Sequence, residues 1–92
     1  MAKNIGADRK RSTRTLPEAL GAELTDRRAK AKLTQQRLAD LLGYDVSYIG
    51  QIERAEKSPT LETLISVATV FRTRLSDLLK ASEDRSSRNR SR

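Results

Sequence analysis

Thr34-Gln-Gln-Arg-Leu-Ala-Asp-Leu-Leu-Gly-Tyr-Asp-Val-Ser-Tyr-Ile-Gly-Gln-Ile-Glu-Arg54 is the stretch whose reading decides the fold. Thr34 offers an N-cap hydroxyl to a helix over Gln35 to Leu42, with Leu38, Ala39 and Leu42 turned to one side. Gly43 stands where a chain leaving a helix needs a left-handed residue. Asp45 can cap a further helix from Val46 to about Arg54, whose inward residues are Ile49 and Ile52. Ala39 falls where the two helices approach each other, and a larger side chain there would push them apart. Two short helices therefore meet at a tight turn over about 35–54, leaving Val46, Ser47, Gly50, Gln51 and Arg54 on the outer faces of the second, with Tyr48 between outside and inside.

Helical periodicity continues on both sides. A helix starting near Pro17 has Leu16, Leu20, Leu24 and Ala31 as its stripe, and proline is tolerated there because a first-turn N–H has no partner to lose. Ala55 to Pro59 is polar and ends in proline, a loop. Thr60 can cap another helix, with Glu62 in its first turn complementing the dipole and Leu61, Leu64, Ile65, Ala68 and Phe71 as its buried stripe. A short last helix, Ser76 to Lys80, brings in Leu78 and Leu79. The expected architecture is all-α, five helices over 16–80, with residues 1–15 and 81–92 as disordered ends.

Composition bounds the rest. Ninety-two residues suit one domain, and with 36% apolar and 3% aromatic residues the core must be small and aliphatic. The absence of cysteine and histidine removes disulfides, the usual zinc ligands and the usual neutral-pH general base. No apolar run is long enough to span a bilayer, and the charged start lacks a signal-peptide core, so a soluble cytoplasmic protein without metal or cofactor is expected. The net charge of +7 is confined to the ends. Residues 1–15 carry five basic and one acidic side chain, residues 80–92 five and two, and residues 16–79 nine of each. Such ends are either solvated tails or extra phosphate contacts.

Leu33 to Gly43, Ser47 to Arg54, Ser58-Pro-Thr-Leu-Glu-Thr-Leu64 and Leu75-Ser-Asp-Leu-Leu79 come in an order and spacing that resembles the phage Cro/repressor-type, or Xre-like, helix-turn-helix family over Leu24 to Leu79. The resemblance implies a lambda-repressor-like domain whose helix 46–54 enters the major groove of double-stranded DNA. It implies that Gln35 contacts a phosphate and braces that helix, and that Asp45, Val46, Ser47 and Gln51 occupy sites facing base edges or the neighbouring backbone. It places Arg54 and Lys57 against phosphates, and Arg28 and Glu53 as a pair tying the first helix to the recognition helix. Ala39, Gly43, Ile49 and Ile52 support the motif. An amide such as Gln51 can bond adenine at N6 and N7 together, and Val46 suits a thymine methyl, or else a partly buried place steadying the turn. Tyr48 either packs its ring or reaches a phosphate with its hydroxyl. Asp45 caps well but repels phosphate, which argues for a cap. Arg72 replaces a common glycine after the fourth helix and puts that turn in question. Leu41, with Val70 and Leu79, is a candidate for a subunit contact, as are the last helix and the end of the fourth.

The function expected is a sequence-specific transcriptional regulator, a repressor acting as a homodimer on a pseudo-palindromic operator. A restriction–modification controller fits this size. The alternative is an antitoxin, with a toxin protein as partner, although the ends are poor in the apolar residues such a grip needs. An RNA-binding module lacks stacking aromatics, and nothing in the chain points to enzymatic chemistry.

Overall fold

The computed structural model describes residues 15–87, and within them the chain forms five helices and no strand. They are α1 (Leu16–Lys30), α2 (Gln35–Leu42), α3 (Val46–Glu53), α4 (Leu61–Val70) and α5 (Leu75–Ser87). Local chemistry sets most of the starts. Thr15 and Glu18 form a reciprocal capping box on α1, the Thr15 hydroxyl accepting from the Glu18 amide at 3.2 Å and the Glu18 carboxylate from the Thr15 amide at 3.1 Å. Thr34, Asp45 and Thr60 each cap their helix through the side-chain oxygen, as their positions in the sequence require.

The ends are less uniform. Gly43 closes α2 at φ +79°, the left-handed conformation expected of it. Lys32, Ala55 and Arg72 take the same conformation, with φ of 61°, 62° and 56°, just beyond α1, α3 and α4. Arg72 thus makes the turn in which glycine is common, and the chain closes normally there, the Thr73 amide bonding the Ala68 carbonyl at 2.9 Å. A side chain in this conformation costs about 1 kcal/mol.

The core has two joined parts. Leu20 and Leu24 of α1, Ile52 of α3, Val67 and Ala68 of α4 and Leu78 of α5 form one. Leu38 and Ala39 of α2 with Ile49 of α3 form the other, with Leu42 and Phe71 packed against both. Two stripes read from the sequence need correction. Leu16 at the start of α1 and Ala31 just beyond its end are exposed, and the inward face is Ala19, Leu20, Glu23 and Leu24. In α4, Leu61 and Ile65 point out, 62% and 48% exposed, while Thr63, Val67 and Ala68 are buried. On the inward face Val67 and Ala68 enter the core, and Thr63 is satisfied by hydrogen bonds with the hydroxyls of Tyr44 and Tyr48, at 3.1 and 3.3 Å.

The last helix is the larger correction. It continues to Ser87 instead of stopping at Lys80, so residues 81–87 are not a disordered tail. Ser82 is fully buried, small enough to let α5 lie close on α1, and its hydroxyl bonds the Leu78 carbonyl at 3.0 Å. One turn on, the Arg85 guanidinium reaches Glu23 at 2.7 Å and Asp26 at 3.3 Å, both on α1. Burial pushes the Glu23 carboxyl up, but hydrogen bonds from Arg85 and Arg27 outweigh it and hold the group below its usual range. Residues 1–14 and 88–92, the remainder of the ends expected to be disordered, lie outside the described residues.

Candidate nucleic-acid interface

Helix α3 lies across the domain with Ile49 and Ile52 buried and the side containing Ser47, Gln51 and Arg54 turned outward. Its position is held by a tie at each end. At the C-terminal end, the Arg28 guanidinium grips the Glu53 carboxylate through Nε at 2.7 Å and Nη2 at 3.2 Å, and donates through Nη1 to the Leu33 carbonyl at 2.8 Å. Gln35, the first residue of α2, donates its amide to the same carboxylate at 2.8 Å. Three elements (α1, α2 and α3) therefore meet on Glu53, whose carboxylate is buried and satisfied. The Arg28–Glu53 tie expected from the sequence is present, and Gln35 makes its bracing contact through this carboxylate.

The other end of α3 is tied to α4. Tyr44 and Tyr48 meet edge to face, with ring centroids 5.3 Å apart, and both hydroxyls lie within hydrogen-bond distance of Thr63. Thr63 in turn lies 3.0 Å from the Thr60 hydroxyl that caps α4. Tyr48 thus packs its ring and spends its hydroxyl within the domain. Tyr44 and Thr63 were not legible as members of this group, because neither breaks the helical pattern nor carries charge.

Along the outward face the residues differ in freedom. Val46 is half-buried against the Leu38–Ala39–Ile49 cluster, so much of its side chain steadies the start of α3. Ser47 is exposed, and its amide and hydroxyl both donate to Asp45, at 2.9 Å each. The Ser47 amide and hydroxyl hold the Asp45 carboxyl below its usual range, so Asp45 acts as a charged cap. Gln51 is half-buried; Lys57 is exposed on the loop after α3, where its backbone amide bonds the Gln51 carbonyl at 3.3 Å. Arg54 caps the C-terminus of α3, and its side chain folds back over Gly50 toward the middle of the helix. There it is held by Glu56, Nε to Oε2 at 2.9 Å and Nη2 to Oε1 at 3.1 Å. The Arg54 guanidinium holds the Glu56 carboxyl below its usual range, and Arg54 is correspondingly raised. Glu56 escaped the sequence reading because a glutamate in a polar loop looks like ordinary surface charge.

Two helices at a left-handed glycine turn, the second projecting a polar face while its inner residues lock it down, match the helix-turn-helix family described as HTH_3 over residues 24–78. The chain belongs to that family. It is a DNA-binding regulator of the helix-turn-helix type. It is 36% identical over 64 residues to the control protein C.SmaI of Serratia marcescens, an alignment spanning 70% of this chain and 76% of that protein. Among solved structures it is similar to the clp gene regulator ClgR of C. glutamicum, with a TM-score of 0.70 and 31% identity over 76% of this chain and 91% of that one. The restriction-modification controller protein C.AhdI of Aeromonas hydrophila superposes with a TM-score of 0.65 and 31% identity, covering 67% and 94% of the two chains. In this helix-turn-helix regulator, α2 and α3 are the two helices of the motif.

Proposed function

We propose that the protein is a homodimeric transcriptional repressor that reads a pseudo-palindromic operator in the major groove, of the restriction–modification controller type. The observation that carries the reading is the outward face of α3, with Ser47, Gln51 and Arg54 on one side of a helix anchored through Glu53 to both α1 and α2. A helix held so firmly presents its side chains in fixed register, which base readout requires. Gln51 is the adenine-directed amide, Ser47 serves a base edge or a phosphate, and Val46 offers its exposed part to a thymine methyl. Gln35 and Lys57 lie at the flanks of α3 and make phosphate contacts that set the register.

Dimerisation follows from size, since one recognition helix buries too little surface for useful specificity and two-fold pairing doubles it. Leu61 and Ile65, exposed one turn apart on α4, offer a second copy an apolar surface. Two of the similar proteins are themselves controllers, which favours this reading over an antitoxin. No helix among the described residues is long and apolar enough to cross a membrane.

Selection of bound sequences from a random DNA pool tests the reading, followed by sedimentation of the complex. The expected result is an inverted repeat with half-sites about 10 bp apart, or a multiple of that, and two chains per operator. One chain per operator at saturation, or no enriched sequence, would overturn it. Ile65→Glu is expected to weaken the dimer without unfolding the domain, because the side chain already meets solvent.

A further inference from the structure

The family resemblance places Arg54 against a phosphate. Its surroundings argue otherwise. A Cβ added to Gly50 would lie 2.9 Å from Arg54 Nη1 and within 3.7 Å of Cζ and Nη2. The guanidinium therefore occupies the place above the recognition helix that a side chain at position 50 would fill, and it covers Gly50 so fully that this residue counts as buried. Helical side chains lean toward the N-terminus, so residue 54 lies over residue 50, on the face that also presents Ser47 and Gln51.

Charge decides between the possible partners. Glu56 engages Nε and Nη2 of Arg54 side-on. A phosphate brought to the same guanidinium would sit beside the Glu56 carboxylate and be repelled by it. A guanine edge is a neutral acceptor pair and meets no such repulsion. Of the five guanidinium donors, two are taken by Glu56, and the end-on pair, one N–H each from Nη1 and Nη2, remains open. That pair has the spacing of guanine O6 and N7. A carboxylate on the adjacent edge also holds the plane and rotamer of the guanidinium, so less freedom is lost when the base is bound.

We propose that Arg54 reads one guanine in each half-site, with Glu56 as the positioning residue that aims it and Gly50 as the vacancy that admits it to the base-facing surface. The proposal rests on the operator-binding reading above and deepens it.

The test is competitive titration of the full chain against its selected operator, with each base in turn at every position. Arg54→Lys keeps the charge and loses the fork; preference for guanine at one position per half-site should fall about ten-fold, the scale of a lost bidentate pair. Affinity for random DNA and its salt dependence should stay unchanged. Glu56→Gln should reduce discrimination at the same position while raising affinity for random DNA, because a negative charge leaves the interface. Gly50→Ala displaces only the movable end of Arg54, so it should fold at least as well as wild type and still blunt the same preference. Uniform weakening on all sequences in Arg54→Lys, or full discrimination in Glu56→Gln, would overturn the proposal and return Arg54 to a phosphate. In that case Gln51→Ala would still relax a different position, and the regulator reading would stand. A wild-type chain without any preferred sequence would instead overturn both.

Discussion

Gly21→Ala should destabilise the domain even though alanine is the better helix former. Gly21 lies in the middle of α1 where that helix crosses the end of α3. A Cβ there would meet the Glu53 carbonyl oxygen at 2.5 Å, the Ile52 carbonyl oxygen at 2.7 Å and the Glu53 carbonyl carbon at 3.0 Å. All three are backbone atoms and cannot rotate aside. Restoring ordinary contact at 3.4 Å from 2.5 Å requires α1 and α3 to part by about 0.9 Å. Overpacking of this kind costs about 1–3 kcal/mol, and exchanging glycine for alanine in a helix returns about 1 kcal/mol. Because three rigid backbone atoms are met at once, the overpacking belongs at the upper end, about 2–3 kcal/mol, so the net expectation is a loss of about 1–2 kcal/mol, read as a fall in melting temperature of roughly 4–16 °C for a domain of this size. The same movement displaces Glu53 from Arg28 and Gln35, so operator affinity should fall along with stability. Urea unfolding of the full chain, with Gly50→Ala as a control whose Cβ meets only a flexible side chain, separates the steric effect from helix propensity. A Gly21→Ala protein as stable as wild type, or more so, would refute the reasoning, since it would mean that the two backbones are not in contact.

Glu53→Ala strips Arg28 and Gln35 of their shared partner and leaves a poorly compensated cation under α3; a stability loss of about 3 kcal/mol is expected by urea denaturation. Arg85→Met tests the α1–α5 clasp. Because folding lowers the Glu23 pKa, the contribution of that carboxylate is complete above its usual value of 4.5 and is lost as pH falls below it. The variant should be weaker than wild type at pH 7 and show a shallower decline between pH 5 and 3; equal unfolding midpoints at both pH values would dismiss the clasp. Gln51→Ala should cost about 1–3 kcal/mol on the selected operator and relax the choice at one base position per half-site. If affinity dropped by the same factor on every sequence, Gln51 would be a positioning residue. The ends are tested by removing residues 1–14 and 88–92, which hold the entire net charge of +7 and spare the Arg85 clasp. If they meet phosphates, the slope of log affinity against log salt should flatten by about 0.9 per lost contact while sequence preference persists. An unchanged slope would mean that they serve solubility alone.

Much of this molecule follows from its sequence alone. Thr34, Gly43, Asp45 and Thr60 announce helix boundaries through chemistry confined to a few neighbouring residues, so α2, α3 and the start of α4 are legible without any tertiary contact. Ala39, Ile49 and Ile52 give the inward side of the motif by spacing. The outward positions, Ser47, Gln51 and Arg54, follow by exclusion. The Arg28–Glu53 tie is implied by the family resemblance and is present at 2.7 Å.

Tertiary structure decided whatever depends on a partner distant in the chain. Leu61 and Ile65 satisfy a buried stripe as well as Val67 does, but it is Val67 and Ala68 that meet the core, with Thr63 beside them on the hydroxyls of Tyr44 and Tyr48. Ala81 to Ser87 has the composition of a tail, with no apolar period to signal a helix. It is helical because Ser82 fits against α1 and because Glu23 and Asp26, some sixty residues earlier, hold Arg85. Gly21 and Gly50 look alike as glycines within helices. Backbone presses on one and a movable arginine covers the other, a difference that arises only when α1 meets α3 and the loop after α3 brings Glu56 to Arg54. Local free energies are written in adjacent residues, whereas the choice between equally apolar faces, and the aim of a charged side chain, depends on what the rest of the chain brings within a few ångströms.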